Sequence, residues 1–245
     1  MDTKDQLAEW RSVIVGMGQV STAPPRWVLP GFLPPGMTLV SAQPKVGKTT
    51  LMMLMLHLLL EGKQYISGNH VIGPPQAKGS CFYIPYEQKN GRLRYMYEER
   101  IGKLKLANSY SNFLFPKEAW NWQVDKPSHD EDLLLFMKEV RPTVVVIDPW
   151  IYAHSGDEND PQSIRPLVPL KNQAEASGTS LVVVHHNSKR SDVDGFDKIR
   201  GTSALWGMAD AGHIISRDAR TPGKLLIKSE FKDFESVEWG WELPK

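Results

Sequence analysis

Eight consecutive residues, Ala42-Gln43-Pro44-Lys45-Val46-Gly47-Lys48-Thr49, have the types and the spacing to hold a polyphosphate. They follow G-x-x-x-x-G-K-[ST] except that alanine stands at the first glycine. Backbone N–H groups of such a loop turn toward phosphate oxygens, and the helix it opens adds the positive end of its dipole. Lys48 is expected to reach the β- and γ-phosphates and the Thr49 hydroxyl to ligate magnesium, with Thr50 closing the nucleotide-binding run. Alanine at position 42 is compatible with this if its φ is negative, since only glycine enters the positive region freely. The predicted cofactors are ATP and Mg2+.

A magnesium shell also needs a carboxylate at the end of a buried strand. Val144-Val145-Val146-Ile147-Asp148 offers one, and Pro149 ends the strand behind it. Glu87 closes a second apolar run, Cys81-Phe82-Tyr83-Ile84-Pro85-Tyr86. A carboxylate there either orients water toward the γ-phosphate or caps the helix that follows. In the usual order its strand lies next to the one carrying the phosphate loop. A third run ends in His185 and His186. Adjacent strand residues point to opposite faces, so the pair is poorly placed to share one metal ion. A polar group at this tip is better suited to sensing the γ-phosphate. Behind it, Lys189, Arg190, Lys198 and Arg200 stand among Asp192, Asp194 and Asp197. These four cations are DNA-binding candidates, or else they decorate a solvated loop.

Positioning these groups takes an alternation of strands and helices. Strands are predicted over 37–41, 80–86, 143–147 and 179–184, and helices over 48–61, 90–105, 131–140 and 161–177. Strands this uniformly apolar, separated by helices, imply an α/β fold with a mostly parallel sheet covered on both faces. Residues 212–217, 224–230 and 237–241 are short runs punctuated by Thr221-Pro222-Gly223. They predict antiparallel strands added to one edge. Residues 1–36 divide into a short amphipathic helix with a glycine-containing stretch and a proline-rich lead-in anchored by Trp27 and Phe32. Residues 37–245 form one ATPase domain.

The totals restrict the alternatives. With 245 residues, 41% hydrophobic and 23% charged, the chain can build a packed core. Lys+Arg at 29 against Asp+Glu at 28 excludes coating duplex DNA by charge alone. Nucleic-acid binding must then come from local loops or from a ring of subunits. Cys81 has no second cysteine to pair with, which points to a reducing compartment. The start of the chain shows no apolar signal region, and the apolar stretch 51–60 is too short to span a bilayer. A cytoplasmic protein without a membrane partner is expected.

In order, Pro-Lys-Val-Gly-Lys-Thr-Thr (44–50), Tyr-Ile-Pro-Tyr-Glu (83–87), Val-Val-Val-Ile-Asp-Pro (144–149), Val-Val-His-His-Asn-Ser-Lys (183–189) and Arg-Gly-Thr-Ser-Ala-Leu-Trp-Gly-Met-Ala-Asp (200–210) resemble the RepA-type plasmid and phage ATPases of the RecA/DnaB group. The resemblance runs from about Trp27 to Lys228. It implies a RecA-like core forming a homo-oligomeric, typically hexameric ring with ATP at subunit interfaces. It also implies Lys48 and Glu87 as catalytic residues, His186 as γ-phosphate sensor, and channel loops after Asp148 and His186 holding single-stranded DNA. The family's in-trans finger is commonly Lys-x-Arg, whereas here Lys228 is followed by Ser229 and Glu230. Arg217, Lys228 or Lys232 must then serve. The implied function is a replicative helicase working with other replication proteins. The alternative is an ATP-controlled oligomeric DNA-binding, recombination or regulatory protein.

Overall fold

The computed structural model describes residues 26–101, 110–117, 122–126, 128–157, 160–187 and 203–242, with Met17 alone ahead of them. The expected N-terminal helix and the candidates Lys189, Arg190, Lys198 and Arg200 lie outside these residues. The chain runs through strand β1 (Gly36–Ala42), helix α1 (Lys48–Glu61), a hairpin of β2 (Tyr65–Ser67) and β3 (His70–Ile72), strand β4 (Cys81–Pro85) and helix α2 (Asn90–Arg100). Strand β5 (Phe113–Leu114), helix α3 (His129–Val140), strand β6 (Val144–Asp148), helix α4 (Leu167–Ser177) and strand β7 (Ser180–His186) follow. A short helix α5 (Ser203–Met208) leads to β8 (Ala211–Arg217), β9 (Lys224–Phe231) and β10 (Val237–Glu242).

Eight strands make one sheet in the order β10-β9-β8-β1-β7-β6-β4-β5. Its centre is parallel, and every residue of β1, β4, β6 and β7 is buried except Pro85 and His186. That two-sided burial is why these strands read as unbroken apolar runs rather than alternating ones. Side chains of one parity, Val40, Val146, Val182 and Val184, pack with α1. Those of the other, Leu39, Val145, Leu181 and Val183, pack with α3 and α4. Helices therefore cover both faces. Among the described residues, no helix is long and apolar enough to cross a membrane.

Three expectations need correcting. Of the terminal runs, only β9 and β10 are antiparallel; β8 runs parallel to β1, from Thr38↔Ala211 to Ala42↔Ile215. The chain reaches β8 from the far side of β1 through α5, the kind of crossover a parallel neighbour requires. Next, β4 does not lie beside β1, because β7 and β6 stand between them. Last, the predicted helix 161–177 is a 3-10 turn, Pro161–Ile164, followed by α4. Pro166 has no N–H with which to continue the first into the second.

The sheet's outer end is secured by hydrogen bonds among buried side chains. His213 on β8 is fully buried, its ring stacked on Phe32 of the lead-in at 3.9 Å. Its Nε2 donates to the Phe32 carbonyl at 2.8 Å, so Nδ1 is the acceptor and takes the Ser229 hydroxyl at 2.8 Å. The Trp239 indole N–H donates to that same hydroxyl oxygen at 2.9 Å. Trp27 packs against Phe231 and Phe234. The β2–β3 hairpin, which no sequence signal announced, lies against β10. There Ser67 donates to the Gly240 carbonyl at 2.6 Å and accepts from its N–H at 3.1 Å. A side chain thus occupies part of an exposed strand edge.

Candidate active site

Register brings the functional strand ends to one edge of the sheet. Ala42 pairs with His186, and Pro85 with Asp148. Because side chains alternate, Asp148 and His186 share the α1 face with Val146 and Val184, and Tyr83 shares it from β4. Ala42 is the last residue of β1, fully buried in extended backbone, so the condition for an alanine there is met. The positive φ values of the loop fall instead on Lys45 (63°) and Gly47 (122°). Gly47 is the N-cap of α1, whose side chains are buried nearly all round. The helix ends at Gly62, whose left-handed N–H donates back to Leu58 and Leu59 carbonyls.

Lys48 is buried, and burial lowers its pKa, opposed by Asp148 and Glu87. Its ammonium donates to the Ala42 carbonyl at 3.1 Å and to His186 Nδ1 at 3.0 Å. An ammonium can only donate, which fixes the His186 proton on Nε2, 3.4 Å from Glu87 Oε1. Burial and then Lys48 lower the His186 pKa, against the pull of Glu87, consistent with a neutral ring bridging cation and carboxylate. His185 points the other way; its Nδ1 donates to the His186 carbonyl at 2.9 Å, and burial holds its pKa at about 4. Glu87 makes no cap for α2, whose N-cap is Lys89 without a side-chain bond.

Asp148 is buried, and burial pushes its carboxyl pKa up, opposed by Tyr83 and then Lys48. Its Oδ2 accepts from Thr49 Oγ1 at 3.3 Å and from the buried Tyr83 hydroxyl. A hydroxyl and a carboxylate drawn together, both oxygen donors, fit a magnesium ion. A divalent cation also offsets the cost of a carboxylate held out of water. Lys48, Thr49, Glu87, Asp148 and His186 line one cleft of about 860 Å³ beside the phosphate loop.

A family model described as AAA domain matches residues 3–192. The chain belongs to that family. Three solved structures share the fold of this AAA domain. One, described as the ATPase domain of a larger protein, superimposes with a TM-score of 0.62 at 11% identity, over 98% of this chain and 95% of that one. A DnaB-like replicative helicase, described with its interactions with primase, gives 0.62 at 13% identity over 99% and 69%. The RadB recombinase gives 0.57 at 18% identity over 86% and 88%. No curated protein matches the sequence. The AAA domain is thus a P-loop ATPase domain on a RecA/DnaB-type fold.

Within the AAA domain, the three finger candidates stand elsewhere than in the cleft. Arg217 donates to the Lys45 carbonyl at 2.8 Å, Lys228 pairs with Glu230 at 2.9 Å, and Lys232 approaches Asp210 at 3.8 Å. Gln43, Pro44, Lys45 and Val46 form the loop's outer turn, exposed or half-buried, and Thr50 lies in the first turn of α1. Sequence reasoning missed Tyr83, although it lies four residues before Glu87 and so shares its strand face. It also missed the side of α2 that lines the cleft with Arg92, Tyr95, Met96 and Glu99, a spacing of one helical face.

Proposed function

We propose that this chain is an ATP-hydrolysing motor acting on single-stranded DNA as a homo-oligomeric, hexameric ring, in the manner of a cytoplasmic replicative helicase that works with other replication proteins. The observation that carries the reading is the convergence of Lys48, Thr49, Glu87, Asp148 and His186 on one cleft from four strand ends. The loop N–H groups and Lys48 bind the β- and γ-phosphates, exchanging the contacts Lys48 makes with Ala42 and His186. Thr49 and Asp148 hold Mg2+. When bound, magnesium supplies charge neutralisation at the phosphate oxygens. Glu87 orients a water and takes its proton as the water oxygen bonds to the γ-phosphorus and the β–γ bridge breaks, leaving ADP and phosphate. His186, released by Lys48, reports the γ-phosphate to the segment behind Asn187. The fold shared with a solved ATPase domain and a DnaB-like replicative helicase supports the motor reading.

A second reading is an ATP-controlled DNA-binding or recombination protein. It is favoured by the engagement of Arg217, Lys228 and Lys232 within their own chain, which leaves none poised for a neighbour. Steady-state ATP hydrolysis with and without single-stranded DNA, with Lys48→Ala as blank, separates the two. Strong stimulation supports the motor; hydrolysis indifferent to DNA supports the switch.

A further inference from the structure

Lys45, with φ 63°, is the non-glycine residue of the phosphate loop held in the left-handed region. Any residue with a Cβ resists that conformation, because Cβ crowds the following carbonyl. The Lys45 carbonyl meets a donor 172 residues away: Arg217 Nη2, at 2.8 Å. Arg217 is the last residue of β8, paired there with Leu225 of β9, and two residues earlier Ile215 pairs with Ala42. The guanidinium is therefore mounted on the sheet, one strand over from the loop's own root. The Lys45–Val46 peptide is planar and trans, so a carbonyl turned to Arg217 directs the Val46 N–H away from it. Between loop and strands lies a hollow of about 770 Å³ lined by Val46, Ile215, Arg217 and Leu226, so no packed side chain enforces the turn from that side.

We propose that Arg217 is a positioning residue of its own subunit's phosphate loop, holding Lys45 in its left-handed turn so that the loop is set for an anion before one arrives. This rests on the reading of 42–49 as the nucleotide site. It differs from a finger role, because a finger acts on a neighbour's nucleotide and changes turnover rather than ground-state binding.

The test is the affinity of full-length protein for a fluorescent ADP, compared among wild type, Arg217→Ala, Lys45→Gly and the double variant, each checked by thermal melting. Arg217→Ala is expected to weaken binding about threefold to tenfold, the scale of one charged hydrogen bond near the surface. Glycine needs no strut, so adding Arg217→Ala to Lys45→Gly should leave binding as in Lys45→Gly alone. Arg217→Lys keeps a single donor and serves if the alanine variant does not fold, with an intermediate loss expected. Wild-type affinity in Arg217→Ala, or the same loss with and without Lys45→Gly, overturns the proposal. If Lys48→Ala in parallel binds ADP as wild type does, the nucleotide site itself is misassigned, which is a separate failure.

Discussion

At the outer end of the sheet, His213, Ser229 and Trp239 commit their polar atoms to one another and to the Phe32 carbonyl. At the carboxyl ends of β1, β6 and β7, Lys48, Asp148 and His186 are also withdrawn from water, yet they face an open cleft. The first arrangement is closed: each donor has its acceptor, and removing one member strands the rest. The second is held together by makeshift bonds among groups whose pKa values burial has displaced. A closed network stabilises the fold, whereas an open one gives up stability in favour of a ligand.

The largest effect expected from this contrast is on the closed side. His213→Ala should destabilise the protein by about 3 kcal/mol, through a cavity plus two stranded hydrogen-bonding groups, and leave ATP affinity unchanged. Urea unfolding beside a binding titration checks both halves; a stable variant with weakened binding would reverse the assignment. On the open side, Lys48→Ala should weaken ATP about 100-fold through lost charge-assisted bonds. Its melting temperature without nucleotide should be at or above that of wild type, since a buried cation has gone. A clear loss of stability would show Lys48 to be structural.

Acid gives a subtler test. Burial holds the folded His213 pKa at about 3, below the ordinary value of 6.5, so the unfolded chain binds the extra proton. Its contribution is intact above pH 6.5 and is lost as pH falls toward 3, at up to about 1.4 kcal/mol per pH unit. His185, held at about 4, adds a second loss between 6.5 and 4. Unfolding free energies at about pH 7.5, 6 and 5 should show the slope, and His213→Gln should remove part of it. An unchanged slope would mean His213 titrates alike in both states.

The smallest effect concerns Ala42. Restoring the consensus glycine should cost roughly 0.5–1 kcal/mol, since Ala42 is extended and its methyl is buried in the core. Nucleotide affinity should not improve; tighter binding would mean that position 42 limits the loop.

The parallel core was legible because two-sided burial writes itself into runs such as Val144–Asp148. The phosphate loop was legible because its chemistry fixes residue types at fixed spacing. Strand order was not, since every central strand carries the same apolar pattern and nothing in β4 names its neighbours. The direction of β8 was hidden for the same reason. Tyr83 and Arg217 escaped because their partners, Asp148 and Lys45, are adjacent only through the fold. Glu87 could be named, but its approach to His186 depends on β6 and β7 intervening.

The central claim is that the open side of this comparison is a hydrolytic ATP site with Glu87 as its base. Steady-state hydrolysis by Glu87→Gln, set beside its ATP affinity, tests that claim most directly. The account predicts wild-type binding with turnover slowed at least about 100-fold, the usual share of a general base. Wild-type turnover in that variant would contradict it.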